Sequence, residues 1–266
     1  IRATKVLTDK PIGVDLLTAL PDQLVRNVEF MIEERVPVFV AALGVPSAVI
    51  DLCHDNNIVV VNMCGRVRHA LAAVEAGCDM VVAQGTEAGG HTGAVATMPL
   101  VPQIVDAVGD RVPVVAAGGI FDGRGIAAAL ALGADGVWLG TRFIATPEAR
   151  SVEGYKDALL ATHEDGTIVS KGFSGKPMRT IRNKTTQYYE EHPEELLPFP
   201  DQLGVSTAEG FMHLSEGDNA PGVDPERECY PCGQGVGGID ELIPAGELVV
   251  RLMNETEQAL KALARV

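Results

Sequence analysis

The chain has 266 residues, 46% hydrophobic and 21% charged, with a formal net charge of -15 and a pI near 4.8. This is enough apolar material for a full core, in one large α/β domain or one domain with an appendage, and it excludes a disordered chain. The acidic balance argues against nucleic acid or an anionic membrane as partner, since either needs a basic surface. No apolar run approaches the ~20 residues of a bilayer span, and no signal-peptide pattern opens the chain, so the expected location is the cytoplasm.

Taken in order, strand-like runs occur at Ile12 to Leu17, Val38 to Leu43, Ile58 to Met63, Met80 to Gln84, Val112 to Ala117 and Gly136 to Leu139. They are short, rich in β-branched residues and apolar on both faces, as strands of a parallel sheet covered on both sides should be. Helical spacing lies between them. Asp22 can cap a helix through Arg35, Pro46 and Ser47 open another through about Asn56, and Arg66 to Ala76 forms a third. Asp122 can cap Gly123 to Leu132, with Gly133 as its left-handed stop.

Two junctions repeat. Ala76-Gly77-Cys78-Asp79 echoes Leu132-Gly133-Ala134-Asp135, and Arg35-Val36-Pro37-Val38 echoes Arg111-Val112-Pro113-Val114. They share no single period, so they read as one βα junction used twice and not as a solenoid.

About six βα units precede residue 150, whereas eight close a (β/α)8 barrel of ~250 residues. The chain opens on Ile1 and reaches its first strand almost at once. The expected fold is therefore α/β of the (β/α)8 TIM-barrel type, with the first one or two βα units lying before this numbering. Residues 1–150 would form the barrel part and 151–240 a loop-rich lid or subdomain. Residues 241–266 would form a final helix packing back on the barrel, its apolar positions Leu248, Leu252 and Leu260 at helical spacing.

The chemistry-bearing stretch is Gln84 to Gly93, Q-G-T-E-A-G-G-H-T-G, directly after a strand. Glycine there permits close backbone approach and positive φ, and His91 would project from a shaped loop. A histidine in such a loop can equally do no more than bond nearby backbone. Two further strand ends carry Gly118-Gly119 and Gly140-Thr141. In barrels of this kind the last two such loops, with a helix N-terminus, cradle a phosphate by backbone N–H groups. Motifs for nucleoside triphosphates, Rossmann dinucleotides and α/β-hydrolases are absent from the sequence, and a flavin mononucleotide suits what remains.

Cys229 and Cys232 form a C-x-x-C, readable as a redox dithiol or half a metal site, but no second pair completes a zinc shell and no thioredoxin-like context surrounds it. No metal is expected. The odd count of five cysteines points to reduced thiols.

Q-G-T-E-A-G-G-H-T-G, followed by A-A-G-G-I-F-D-G and G-T-R-F at this spacing, resembles the nitronate monooxygenase family, also called 2-nitropropane dioxygenase-like. The likeness runs from Asp9 to Ala149 and continues more weakly through Phe173-Ser174-Gly175-Lys176-Pro177 and Gly233-Gln234-Gly235. It implies an FMN cofactor whose phosphate is held by Gly118, Gly119, Gly140 and Thr141. Gln84 and Gly90 would lie near the flavin, with Asp15 ending a strand beneath it, and Gln234 would approach from the C-terminal segment. His91 falls on the family's catalytic histidine, with Glu87 as a candidate orienting partner. The family's glycine-rich opening loop has no counterpart here.

The implied activity is oxidation of alkyl nitronates or nitroalkanes by molecular oxygen, with a small-molecule substrate; a homo-oligomer is compatible with it. Two alternatives stay open: an NADH-dependent flavin reductase of enoyl-ACP or quinone type on the same scaffold, and a non-catalytic member that binds a phosphorylated ligand.

Overall fold

The computed structural model describes residues 1–18, 21–152, 154–213 and 222–265. After a short helix α1 (Arg2–Leu7) come six parallel strands: β1 (Gly13–Leu17), β2 (Val38–Ala42), β3 (Val59–Cys64), β4 (Met80–Gln84), β6 (Val114–Ala117) and β7 (Gly136–Trp138). A two-residue strand β5 (Gly90–His91) lies outside that sheet, whose order is β1-β2-β3-β4-β6-β7. Register pairs such as Asp15 with Val40, and Val82 with Val115, carry it from strand to strand. The connecting helices are α2 (Pro21–Glu33), α3 (Ile50–Asp55), α4 (Val67–Glu75), α5 (Thr97–Val108) and α6 (Gly123–Ala131).

The central strands are largely apolar on both faces because both faces are covered, whereas the edge strand β1 is exposed at alternate positions. Phe39, Ala41, Val60, Val81, Ala83, Val114 and Ala116 pack outward in the large core beneath the helices. Val40, Val61, Val82 and Ala117 fill the concave side. Each fully buried Val or Leu contributes about 1.5–3 kcal/mol relative to exposure, so these layers, and not strand propensity, hold the arc.

The repeated junctions are repeated hydrogen bonds. Asp79 N donates to Val60 O at 2.8 Å while Asp79 Oδ2 accepts from Val60 N at 2.7 Å. Asp135 makes the same pair with Val114, at 2.8 Å each way. The carbonyls of Pro37 and Pro113 accept likewise from Val59 and Val81.

Several boundaries differ from the sequence reading. The strand expected through Leu43 stops at Ala42, because Leu43 takes φ +62, which a bulky residue adopts only under constraint. Buried Asn62 supplies part of that constraint, its Nδ2 donating to Gly44 O at 2.6 Å. The helix expected from Pro46 begins at Ile50, after a turn closed by Val49 N to Pro46 O. Helix α2 begins at Pro21, so Asp22 lies inside its first turn; the Asp22 side chain is outside the described residues. Asp122 does cap α6, its Oδ1 accepting from Gly125 N at 2.9 Å, and Gly133 follows at φ +93.

Helix α5 has no counterpart in the sequence reading, and it carries Pro99 in its first turn and Pro102 inside it. It forms because Pro99 falls in the first turn, where its missing N–H costs nothing, and because Leu100, Val101, Ile104 and Val108 bury one face.

Beyond residue 150, after the short α7 (Thr141–Ile144), come α8 (Tyr155–Ala161), β8 (Thr167–Ser170), β9 (Met178–Ile181), α9 (Lys184–Glu191) and α10 (Asp201–Ala208). Strand β9 pairs antiparallel with both β8 and β5, so this segment shares a three-stranded sheet with the His91 loop. Of the loop-rich stretch from 217 to 238, residues 217–221 lie outside the described residues. The last helix, α11 (Ala245–Leu263), packs Leu248 and Leu252 against Ile126 of α6. Among the described residues no helix is long and apolar enough to cross a membrane.

Candidate active site

A cavity of about 690 Å³ opens at the C-terminal ends of the parallel strands. Asp15, Gln84, Gly90, His91, Gly118, Gly119, Gly140 and Thr141 all contribute to its lining. Gln234 does not. Its backbone N–H donates to Glu87 O at 2.9 Å and its side chain is exposed, so Gly233 and Gly235 meet the cavity in its place.

His91 is held from both ends of the chain. Its backbone pairs with Met178 in the β5–β9 ladder, and its carbonyl accepts from Gln84 Nε2 at 2.8 Å. Nε2 of its ring lies 2.8 Å from Ser174 Oγ, and Phe199 meets the ring edge-on at 6.4 Å between centroids. Burial, and then the nearby Lys176 ammonium, push its pKa below the ordinary 6.5. The ring is thus neutral at pH 7 and able to accept a proton.

Glu87 does not orient His91. Its Oε2 lies 2.7 Å from both the backbone N and the Oγ1 of Thr97, where it caps the start of α5 in place of Ala96, which has no side-chain acceptor. Asp15 does not end its strand, since β1 runs on to Leu17. Standing along the outer strand of the sheet, its carboxylate is partly desolvated, which raises its pKa against the opposing hydrogen bond from Leu16 N–H.

The glycines have separate reasons. A Cβ on Gly89 would lie 2.8 Å from backbone atoms of Cys232 and Gly233, where two loops cross. Gly118 and Gly119 turn the chain at φ +108 and +73, and a Cβ on Gly118 would lie 2.8 Å from Thr97 Oγ1. Gly90 and Gly140 are different, for a Cβ there would meet nothing within 4 Å, only cavity. Neither Gly119 N–H nor Gly140 N–H has an acceptor among the described residues. The Thr141 hydroxyl accepts from Gly233 N at 2.9 Å, tying the C-terminal loop to this turn.

The expected helix N-terminus is already taken. Gly123 N donates to Glu255 Oε2 at 3.0 Å and Gly125 N to Asp122, so α6 presents carboxylates and not free amides. What the two strand-end turns offer instead is the open surface of Gly140 and, among the described residues, the unpaired N–H groups of Gly119 and Gly140, donors of a kind that could hold an anion.

Cys229 and Cys232 do not present an accessible redox dithiol. Both are fully buried and neither lines the cavity. Burial pushes the Cys232 thiol up to about 12 and raises that of Cys229 well above its usual value, which disfavours the thiolate that a redox dithiol needs.

Ser174, Lys176 and Asn62 escaped the sequence reading as site residues. The first two sit in F-S-G-K-P, which the family resemblance flagged without assigning roles; Asn62 gave no signal beyond a polar residue inside an apolar run.

The nitronate monooxygenase family model matches residues 1–255. A protein of Mycobacterium tuberculosis named as a monooxygenase is 40% identical over 222 residues, 81% of this chain and 58% of that one, so the match spans little more than half of its length. The FabK structure from Thermotoga maritima superposes with a TM-score of 0.85 at 32% identity, covering 99% of this chain and 81% of that one. Nitroalkane oxidase from Streptomyces ansochromogenes superposes with a TM-score of 0.82 at 28% identity, covering 98% and 85%. By family model, by sequence relative and by fold, this chain belongs to the nitronate monooxygenase family.

Proposed function

We propose that the chain binds FMN and takes part in the oxidation of alkyl nitronates or nitroalkanes by molecular oxygen. Gly118, Gly119, Gly140 and Thr141 would hold the phosphate through backbone N–H groups, with Gln84 and Gly90 beside the rest of the ligand. Bound FMN supplies the electron-accepting ring and the route of those electrons to oxygen.

The protein's own chemistry is proton management. A carbon-bound proton next to a nitro group is acidic, and a neutral imidazole in a desolvated wall is a competent base for it. With a nitronate as substrate the proton is already gone, and His91 positions the anion instead. Residues 151–240 serve in this reading as the cover that brings Ser174 and Lys176 to His91. The observation that carries the proposal is His91 itself: it is desolvated, neutral, bonded to Ser174 and set in the same cavity wall as the two glycine turns.

The test is spectroscopic and kinetic. The purified protein is expected to be yellow and to consume oxygen with an alkyl nitronate or nitroalkane. His91→Ala should keep the flavin and lose about 10²-fold or more in nitroalkane turnover, the usual worth of a general base. Flavin-loaded protein with no turnover of either compound refutes the substrate assignment.

The likeness to FabK supports a second reading, an NADH-dependent flavin reductase. Rapid anaerobic bleaching of the flavin by NADH would select it, because the oxidation proposed above needs no external reductant.

A further inference from the structure

Among the described residues, the side chain that hydrogen-bonds the His91 ring is that of Ser174, which is fully buried. Its Oγ lies 2.8 Å from His91 Nε2, and 3.3 Å from both the backbone N and the backbone O of Lys176. A serine hydroxyl has one proton to give and two lone pairs to receive with. With a proton on Nε2 every capacity is used: Oγ accepts from Nε2–H and from Lys176 N–H, and donates to Lys176 C=O. With a bare Nε2, Oγ must turn its proton to the ring. The Lys176 carbonyl then loses that donor, and one Oγ lone pair stays empty on a fully buried hydroxyl.

We propose that Ser174 is a positioning residue that fixes His91 as the Nε2–H tautomer, leaving Nδ1 as the ring nitrogen that receives the substrate proton. This rests on the base role proposed for His91 above. In the step, the proton passes from the substrate carbon to Nδ1 and the C–H electron pair stays on the substrate as the nitronate anion. His91 becomes an imidazolium whose Nε2–H still donates to Ser174.

Ser174 is itself held from a distance. The carbonyl of Gly172, two residues before it, accepts from Gln202 Nε2 at 2.8 Å and from Ser206 Oγ at 3.3 Å, both buried residues of α10. The charged groups near His91 do not compete for its ring. The Lys176 ammonium has no lone pair with which to accept, Glu87 is engaged by Thr97, and Arg179 of β9 donates to Thr86 O and Thr167 Oγ1.

Long-range ¹H–¹⁵N NMR of the flavin-loaded protein, with His91 assigned by comparison with His91→Gln, reads the tautomer directly. The wild type should show a protonated Nε2 and a bare Nδ1. Ser174→Ala should lose that preference, and Ser174→Thr, which keeps a hydroxyl, should retain it. In nitroalkane turnover Ser174→Ala should lower kcat roughly tenfold with KM little changed, the low end for one hydrogen bond to an ion. The acidic limb of its pH profile should move down, because the lost acceptor favoured the imidazolium. A bare Nε2 in the wild type, or a Ser174→Ala spectrum identical to it, overturns the assignment. The spectrum needs no turnover, so a protein inactive on nitroalkanes that shows protonated Nε2 keeps the tautomer assignment and removes only the base role.

Discussion

Removing Glu87 separates a structural carboxylate from a catalytic one. Its Oε2 receives two short hydrogen bonds, from Thr97 N and Thr97 Oγ1, at the start of a helix whose own N-cap residue is alanine. Loss of such a cap costs about 1 kcal/mol, and loss of the negative charge at a helix N-terminus adds about 0.3–1 kcal/mol. Glu87→Ala should therefore destabilise the protein by about 2 kcal/mol. For a chain of this size that is a fall of roughly 4–8 °C in Tm by thermal denaturation. Glu87→Gln keeps an acceptor oxygen and should lose about half as much. Thr97 Oγ1 also lies 3.0 Å from Gly118 O, so some flavin affinity should go with the cap. The acidic limb of the pH profile should not move, because burial and Lys176, and not Glu87, depress the His91 pKa. An unchanged Tm together with a shifted acidic limb would refute this and return Glu87 to the role of orienting His91.

Two glycine substitutions separate folding from ligand binding. Gly118→Ala places a Cβ 2.8 Å from Thr97 Oγ1 at φ +108 and should lower both Tm and the flavin retained on desalting, with a strain of about 1–3 kcal/mol. Gly140→Ala meets no atom within 4 Å, so its Tm should hold while retained flavin falls. For pH, nitroalkane turnover should lose activity only below 6.5, since the His91 pKa lies lower than that. Lys176→Met should bring the acidic limb back up towards 6.5. Stability follows the same sign: the unfolded chain takes up this proton first, so the contribution of His91 is complete above 6.5 and is lost as pH falls towards the depressed folded-state value.

The parallel sheet was legible because its residues report their surroundings locally. A strand buried on both faces reads as a run with few polar residues, Asn62 in β3 being an exception, and the Gly-x-Asp junctions recur because each carboxylate closes the same hydrogen-bonded pair with the neighbouring strand. Helix α5 was not legible because its start is capped by Glu87, ten residues upstream, and not by its own N-cap residue Ala96. Leu43 read as the end of a strand because nothing local announces the left-handed turn that Asn62 stabilises from the next strand. Most of the site's glycines could be found from their loops. The partner of His91 could not, since Ser174 stands 83 residues away and reaches the ring only once β9 has paired with β5.

The net charge of -15 sharpens what an anionic ligand requires of this cavity. Such a mean field opposes a phosphate, so the site must work through local donors and through the disposal of nearby carboxylates. Two of those carboxylates, Asp122 and Glu255, bond the first amides of α6, which neutralises the helix end that barrels of this type commonly turn towards a phosphate. Among the described residues the N–H groups of Gly119 and Gly140 face no acceptor, and Asp15 is the one acidic side chain in the cavity lining. In the reading proposed above, backbone donors of this kind would discriminate by shape, since a phosphate would have to approach bare backbone closely and any side chain on Gly140 would stand in the open space beside it.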